Sequence, residues 1–165
     1  MSASAKPIPK FVGSFADAWA EAKAASEPRL VEIRSYADDR GWSYMNLMTG
    51  VLEGGQVNVS VQYPGVVKAW HRHARQTDFW CAVAGHLRVG VWRDSDDACW
   101  RAVIGDRQPG VVVIPPTLWH GAATVGPEPA TLLYYVTEVY VPSHPDEERC
   151  PFDALPGFAW GVEHR

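Results

Sequence analysis

The segment Gln56-Val-Asn-Val-Ser-Val-Gln62 alternates polar and apolar residues without a break. Side chains of a strand point to opposite faces with period two, so this stretch reads as a strand with a polar and a Val face. Similar stretches follow one another: 30–36, 66–73, 78–92, 99–104, 111–114 and 130–141. Turn residues such as Tyr63-Pro64-Gly65, Ala84-Gly85-His86 and Asp38-Asp39-Arg40-Gly41 separate them. Recurrence of turns about every ten residues favours a sandwich or closed barrel over βαβ units. One segment breaks the pattern. Ser14 precedes Phe15-Ala-Asp17-Ala-Trp19-Ala-Glu21-Ala-Lys-Ala-Ala25, a run of helix formers with a capping-box-like start, and Pro28 follows it. The sequence therefore predicts an all-β domain over 30–165, preceded over 1–29 by a loose arm (residues 1–13) and a short helix.

At 165 residues the chain is one domain by size. The formal net charge of −4 offers no general attraction to nucleic acid or anionic membrane. No apolar run approaches the roughly 20 residues of a membrane span, and the first ten residues carry no apolar signal core. Cys81, Cys99 and Cys150 form no close pair, which fits a reducing cytoplasm better than a disulfide scaffold. Cys81 lies in an apolar strand and reads as a small core residue.

His71 and His73, at i and i+2 on one predicted strand, share a face. Asp78 follows five residues after His73, and His120 comes after the Pro115-Pro116 segment. Three imidazoles and a carboxylate are a ligand set for Zn, Fe, Ni, Mn or Cu, with no preference legible among them. The same residues also make sense as a metal-free hydrogen-bonded network in which Asp78 orients an imidazole, with His120 a structural residue. No organic cofactor motif is present. Tyr134 and Tyr140, evenly spaced on one predicted strand, share a face. Lys68 is three residues from His71, so a regular strand would put it on the opposite face. Trp42, Trp70, Trp80, Trp92, Trp100 and Trp119 read as core or interface. His86, His144 and His164 read as exposed turn or tail residues.

The spacing Gly65…His71-x-His73…Asp78…Gly85, with the later Gly110…Pro115-x-Thr117-x-x-His120, resembles the two cupin motifs, with Asp for the usual Glu. In cupins these residues are metal ligands on the inner face of a jelly-roll barrel. Within cupins the chain resembles the dTDP-4-dehydrorhamnose 3,5-epimerases from about residue 30 to residue 160. The likeness rests on Asp38-Asp-Arg40-Gly41, Gln56-x-Asn58-x-Ser60, Gly65-Val-Val-Lys68-Ala-Trp-His71, Val113-Ile-Pro-Pro-Thr-Leu-Trp-His120-Gly121, Leu133-Tyr134-Tyr135-Val-Thr137-Glu138-Val-Tyr140-x-Pro142 and, loosely, Phe152-Asp153…Trp160.

The resemblance implies a cupin jelly roll with a short N-terminal helix, a homodimer, and proton abstraction beside the ketone of a nucleotide-linked 4-keto-6-deoxy sugar. His71 matches the family's base and Tyr140 its acid. Arg40, Gln56, Asn58 and Lys68 match nucleotide-diphosphate contacts, and His120 is expected among the substrate-binding residues. Three departures stand out. Asp78 occupies the place of an enolate-stabilising Lys, His73 that of a Gln, and the Asp that partners the base in a C-terminal segment has no counterpart before Arg165. A divalent ion on His71, His73, Asp78 and His120 would restore the lost positive charge. His71 would then be a ligand, and Tyr134 or Tyr140 the base. Two other functions fit the same residues: a metal-dependent cupin dioxygenase or isomerase of a small keto or enol substrate, and a sugar-nucleotide-binding cupin without turnover.

Overall fold

The computed structural model describes residues 5–162, so the expectation for His164 lies outside it. In chain order the elements are β1 (Lys6–Pro7), β2 (Lys10–Phe11), α1 (Phe15–Ala25), β3 (Arg29–Glu32), β4 (Ser35–Asp38), β5 (Gly41–Tyr44), β6 (Gln56–Gln62) and β7 (Val67–Arg72). Then come β8 (Asp78–Ala84), β9 (His86–Arg93), β10 (Ala98–Gly105), β11 (Gly110–Ile114), β12 (Trp119–Val125), β13 (Ala130–Val136) and β14 (Glu148–Arg149). Two six-stranded sheets face one another. Sheet A runs β1-β10-β9-β12-β7-β14, and sheet B runs β2-β3-β11-β8-β13-β6. β4 and β5 form a separate hairpin. This is the jelly roll anticipated from the sequence.

The sequence order of the core explains the layers. In β8, Trp80 and Ala82 turn inward to meet Leu87, Val89, Val91, Trp100 and Leu118 between the sheets. The intervening Phe79 and Cys81 turn outward, where Phe15, Ala18 and Ala22 of α1 cover them. With both faces covered, β8 reads as one continuous apolar run. The Ser14 hydroxyl caps α1 by accepting the Asp17 N–H at 3.1 Å, as the capping-box reading required. The outer face of sheet A is sealed by the C-terminal segment, whose Leu155, Phe158 and Trp160 pack on Trp70, Trp92 and Trp119. Trp70 Nε1–H donates to the Phe152 carbonyl at 2.9 Å. Of the six tryptophans read as core or interface, only Trp42 is exposed, on the β4–β5 hairpin.

Four sequence expectations are corrected. The arm is not loose over 6–11: β1 pairs in parallel with β10 and β2 with β3, adding a strand to each sheet. The predicted strand over 30–36 is divided between β3 and β4, which lie in different sheets. The strand predicted over 130–141 ends at Val136, so Tyr140 stands outside it. His86 is not at an exposed turn but begins β9, half-buried, with Nε2 3.6 Å from Asp106 Oδ1.

β7 and β12 carry the irregularity that matters most. His71 pairs with His120 and Lys68 with Ala122, so Ala69 and Trp70 together oppose the single residue Gly121. That is a β-bulge, which re-aims the side chains on either side of it. Lys68 and His71 consequently line the same cavity, which a regular strand would forbid.

Candidate active site

A cavity of about 690 Å3 opens between the two sheets. Sheet A supplies Lys68, His71 and Arg149; sheet B supplies Gln56, Asn58, Asp78, Trp80 and Tyr134. The inward face of β6 is its polar one, so the alternation seen in the sequence lines a cavity rather than a core. Tyr140 and the neighbouring irregular chain close the rim, with the Tyr140 N–H donating to Gln56 Oε1 at 3.0 Å. His144 is exposed, as expected, and also lies on this rim.

The four clustered residues meet at the inner end. One nitrogen or carboxylate oxygen from each of His71, His73, Asp78 and His120 lies within 4.8 Å of all the others. The rings of His71 and His120 have centroids 4.2 Å apart. His120 is 2% exposed. Its Nδ1 is 2.9 Å from the Leu118 carbonyl, an acceptor only, so the proton resides on Nδ1. In the neutral ring its buried Nε2 then presents a lone pair, and it has no hydrogen-bond partner among the described residues. Asp78 Oδ2 stands 3.6 Å from that nitrogen, a contact too long for a hydrogen bond. His73 repeats the pattern: Nδ1 donates to the Asp146 carbonyl and Nε2 lies 4.0 Å from Asp78 Oδ1. Carbonyls that hold Nδ1–H while Nε2 faces a shared centre are the usual outer support of a metal-binding histidine.

Asp78 is itself braced. Its Oδ1 accepts from Gln76 Nε2 at 2.7 Å and its Oδ2 from Trp80 Nε1 at 2.9 Å. Burial pushes its carboxyl up, but His120 and His73 in their protonated forms, together with the Gln76 hydrogen bond, outweigh that and hold it at about 2. Asp78 is therefore an anion at neutral pH. His71 goes the other way. Burial, reinforced by His120, His73 and Arg149 and opposed by Asp78, holds it well below 6.5. Burial pushes the Tyr134 phenol up, as do Asp78 and Glu147.

Most residues singled out from the sequence meet here: Gln56, Asn58, Lys68, His71, His73, Asp78, Tyr134 and Tyr140 line the cavity, and His120 closes its inner end. Arg40 does not line it. It lies on the β4–β5 hairpin, 85% exposed, with its guanidinium on Asp38. The sequence reading missed Arg149, which pairs with His71 across β14 and β7, as well as Asp146 and Glu147. They lie in a Pro-rich stretch with no periodicity, and only its charges (Asp146-Glu-Glu-Arg149) hint at a role.

The family model for the polysaccharide biosynthesis C-terminal domain matches residues 36–148. The chain belongs to that family. It is 33% identical over 147 residues to the spore coat polysaccharide biosynthesis protein SpsL of Bacillus subtilis, covering 83% of this chain and 97% of that protein. It is 41% identical over 100 residues to a probable low-salt glycan biosynthesis epimerase of Haloferax volcanii, covering 57% of this chain and 64% of that protein. Among solved structures, a dTDP sugar isomerase from Desulfovibrio desulfuricans superposes with a TM-score of 0.72 at 24% identity, covering 82% of this chain and 92% of that one. Solved dTDP-sugar 3,5-epimerases share the fold, so the family resemblance in the sequence extends to the architecture.

Proposed function

We propose that this protein is a sugar-nucleotide epimerase that removes and returns a proton beside the ketone of a nucleotide-linked 4-keto-6-deoxy sugar. One observation carries the reading: His71 from sheet A and Tyr134 and Tyr140 from the sheet B side line one cavity, together with Gln56, Asn58 and Lys68. His71, neutral through the physiological range, is the base. Tyr140 at the rim returns the proton. Lys68 binds the diphosphate; it donates to Ser60 Oγ at 2.9 Å and has no carboxylate partner among the described residues, so its charge is available. The names of the Bacillus and Haloferax relatives place them in polysaccharide and glycan biosynthesis, which supports the same setting here. No described helix is long and apolar enough to cross a membrane, and cytoplasmic action on a nucleotide sugar fits that.

The test is hydrogen exchange in heavy water with a dTDP-4-keto-6-deoxy sugar. Deuterium enters at a carbon flanking the ketone if the reading is right. Tight binding without any label would make the protein a sugar-nucleotide-binding cupin.

A second reading rests on the unpartnered His120 Nε2 and the anionic Asp78 beside it. His71, His73, Asp78 and His120 suit a divalent transition metal: Zn, Fe, Ni, Mn or Cu. Such an ion would supply Lewis acidity next to a carbonyl, the role of the family's missing Lys. His71 would then serve as a ligand, and Tyr134 or Tyr140 would handle the proton. Elemental analysis of protein purified without chelator decides this. Less than about a tenth of an equivalent of metal would remove the reading, since ligand sets of this kind retain metal through purification. Stoichiometric metal without label in the exchange experiment would favour a metal-dependent enzyme of a small keto or enol substrate.

A further inference from the structure

Asp146 touches the histidine-bearing turn at four points. Its carboxylate accepts the backbone N–H groups of Ala74 at 3.1 Å, Arg75 at 3.0 Å and Gln76 at 3.1 Å. Its own carbonyl oxygen meets His73 Nδ1. The stretch that carries it has no strand pairing to hold it: β13 ends at Val136 and β14 begins at Glu148. Glu148, two residues on, pairs with Arg72, and the Asp146 side chain supplies the grip on the 74–76 turn itself, which sets where its main-chain carbonyl lies.

A neutral imidazole carries one N–H, and a carbonyl can only accept. Wherever that carbonyl faces Nδ1, the proton is on Nδ1 and Nε2 offers a lone pair. For His73 that lone pair faces Asp78 and the cluster interior. His120 reaches the same state by a different route, through the carbonyl of Leu118, two residues earlier and just before its own strand. His73 has no such local partner and borrows one from about seventy residues further along the chain.

We propose that Asp146 is a positioning residue: its carboxylate grips the 74–76 turn so that its carbonyl fixes His73 in the Nδ1–H form, with Nε2 turned into the cluster. The inference rests on the cavity being the reaction site, yet the tautomer can be read without any turnover.

The experiment uses the full chain labelled with 15N-histidine and dialysed against a chelator, so that no metal ion holds the tautomer. Long-range proton–nitrogen correlation spectra report which ring nitrogen bears hydrogen. In the unmodified protein His73 and His120 both show the Nδ1–H form. In Asp146→Ala the Nε2–H form of His73 becomes populated while His120 stays as it was. Asp146→Asn, which keeps one acceptor oxygen, shifts His73 the same way by less. A His73 unmoved in both variants overturns the proposal. So does a parallel change at His120, which would mean general loosening. A negative deuterium-exchange result with the tautomer response intact would remove the epimerase reading and leave this positioning role standing.

Discussion

His71 bears a proton less readily in the fold than in the open chain, and this has a consequence for stability. In the unfolded chain a histidine takes its proton near about 6.5. In the fold, burial and the neighbouring His120 keep His71 neutral well below that. Within this window the unfolded state binds more protons, so acid favours unfolding. The stability is fully present above about pH 6.5 and is lost as pH falls through the window beneath it. The melting temperature of chelator-treated protein should therefore drop between about pH 7 and pH 5, and His71→Gln should flatten that slope. A slope unchanged by the substitution would show that His71 is not the group responsible. The residue-level site was partly legible in advance. His71 and His73 fall on one face because they lie two positions apart, and Asp78 shares one with Trp80 for the same reason. Asp146 and Arg149 were not legible, because they reach the cavity from irregular chain whose path no local pattern sets.

At the scale of elements, β12 shows why sequence patterns fail where burial is complete. Trp119-His-Gly-Ala-Ala-Thr-Val125 shows no alternation and is rich in small residues with weak strand preference. It nevertheless lies between β9 and β7 near the middle of sheet A, and Trp119–Ala123 are all buried. The small residues have a purpose in the bulge. A Cβ on Gly121 would lie 2.3 Å from the Ala69 Cβ and 2.7 Å from the Lys68 carbonyl. Gly121→Ala must push β7 away, and overpacking of this kind costs about 1–3 kcal/mol. The bulge sets the placement of Lys68 relative to His71, so pushing β7 away should move Lys68 within the cavity. Affinity for the nucleotide part should weaken along with the melting temperature, while far-ultraviolet circular dichroism keeps its strand signature. Calorimetric titration with dTDP gives the first quantity; unchanged affinity in a destabilised protein would detach Lys68 from phosphate binding. The elements that were foreseen, among them α1, β6, β7, β8, β9, β10 and β11, were those that a cap, a turn or a strand-like run marked in the sequence.

The whole molecule has a surface that one chain leaves unfinished. β6 is the last strand of sheet B, and its outward face is Val57, Val59 and Val61, exposed by 57%, 64% and 49%. Tyr63 continues the stripe at 67% exposure. An open strand edge with an apolar outer face is a pairing surface, and closed two-fold symmetry is its commonest resolution. Arg40 makes the same point from the opposite side. It matches a nucleotide-diphosphate contact, yet stands on an exposed hairpin away from its own cavity, beside exposed Tyr36 and Trp42. Both observations are met if two copies pair and each lends its hairpin to the other's cavity. Val59→Asp should then give a folded monomer by sedimentation, with little remaining activity. Complementation tests the lending directly. Arg40→Ala and His71→Gln should each be inactive alone. After dissociation and reassociation of an equal mixture, half the dimers are hybrids, and one of the two sites in each hybrid is intact. Roughly a quarter of the unmodified activity should return. If Arg40 serves only its own chain, every site in the hybrid carries one defect and the mixture stays inactive.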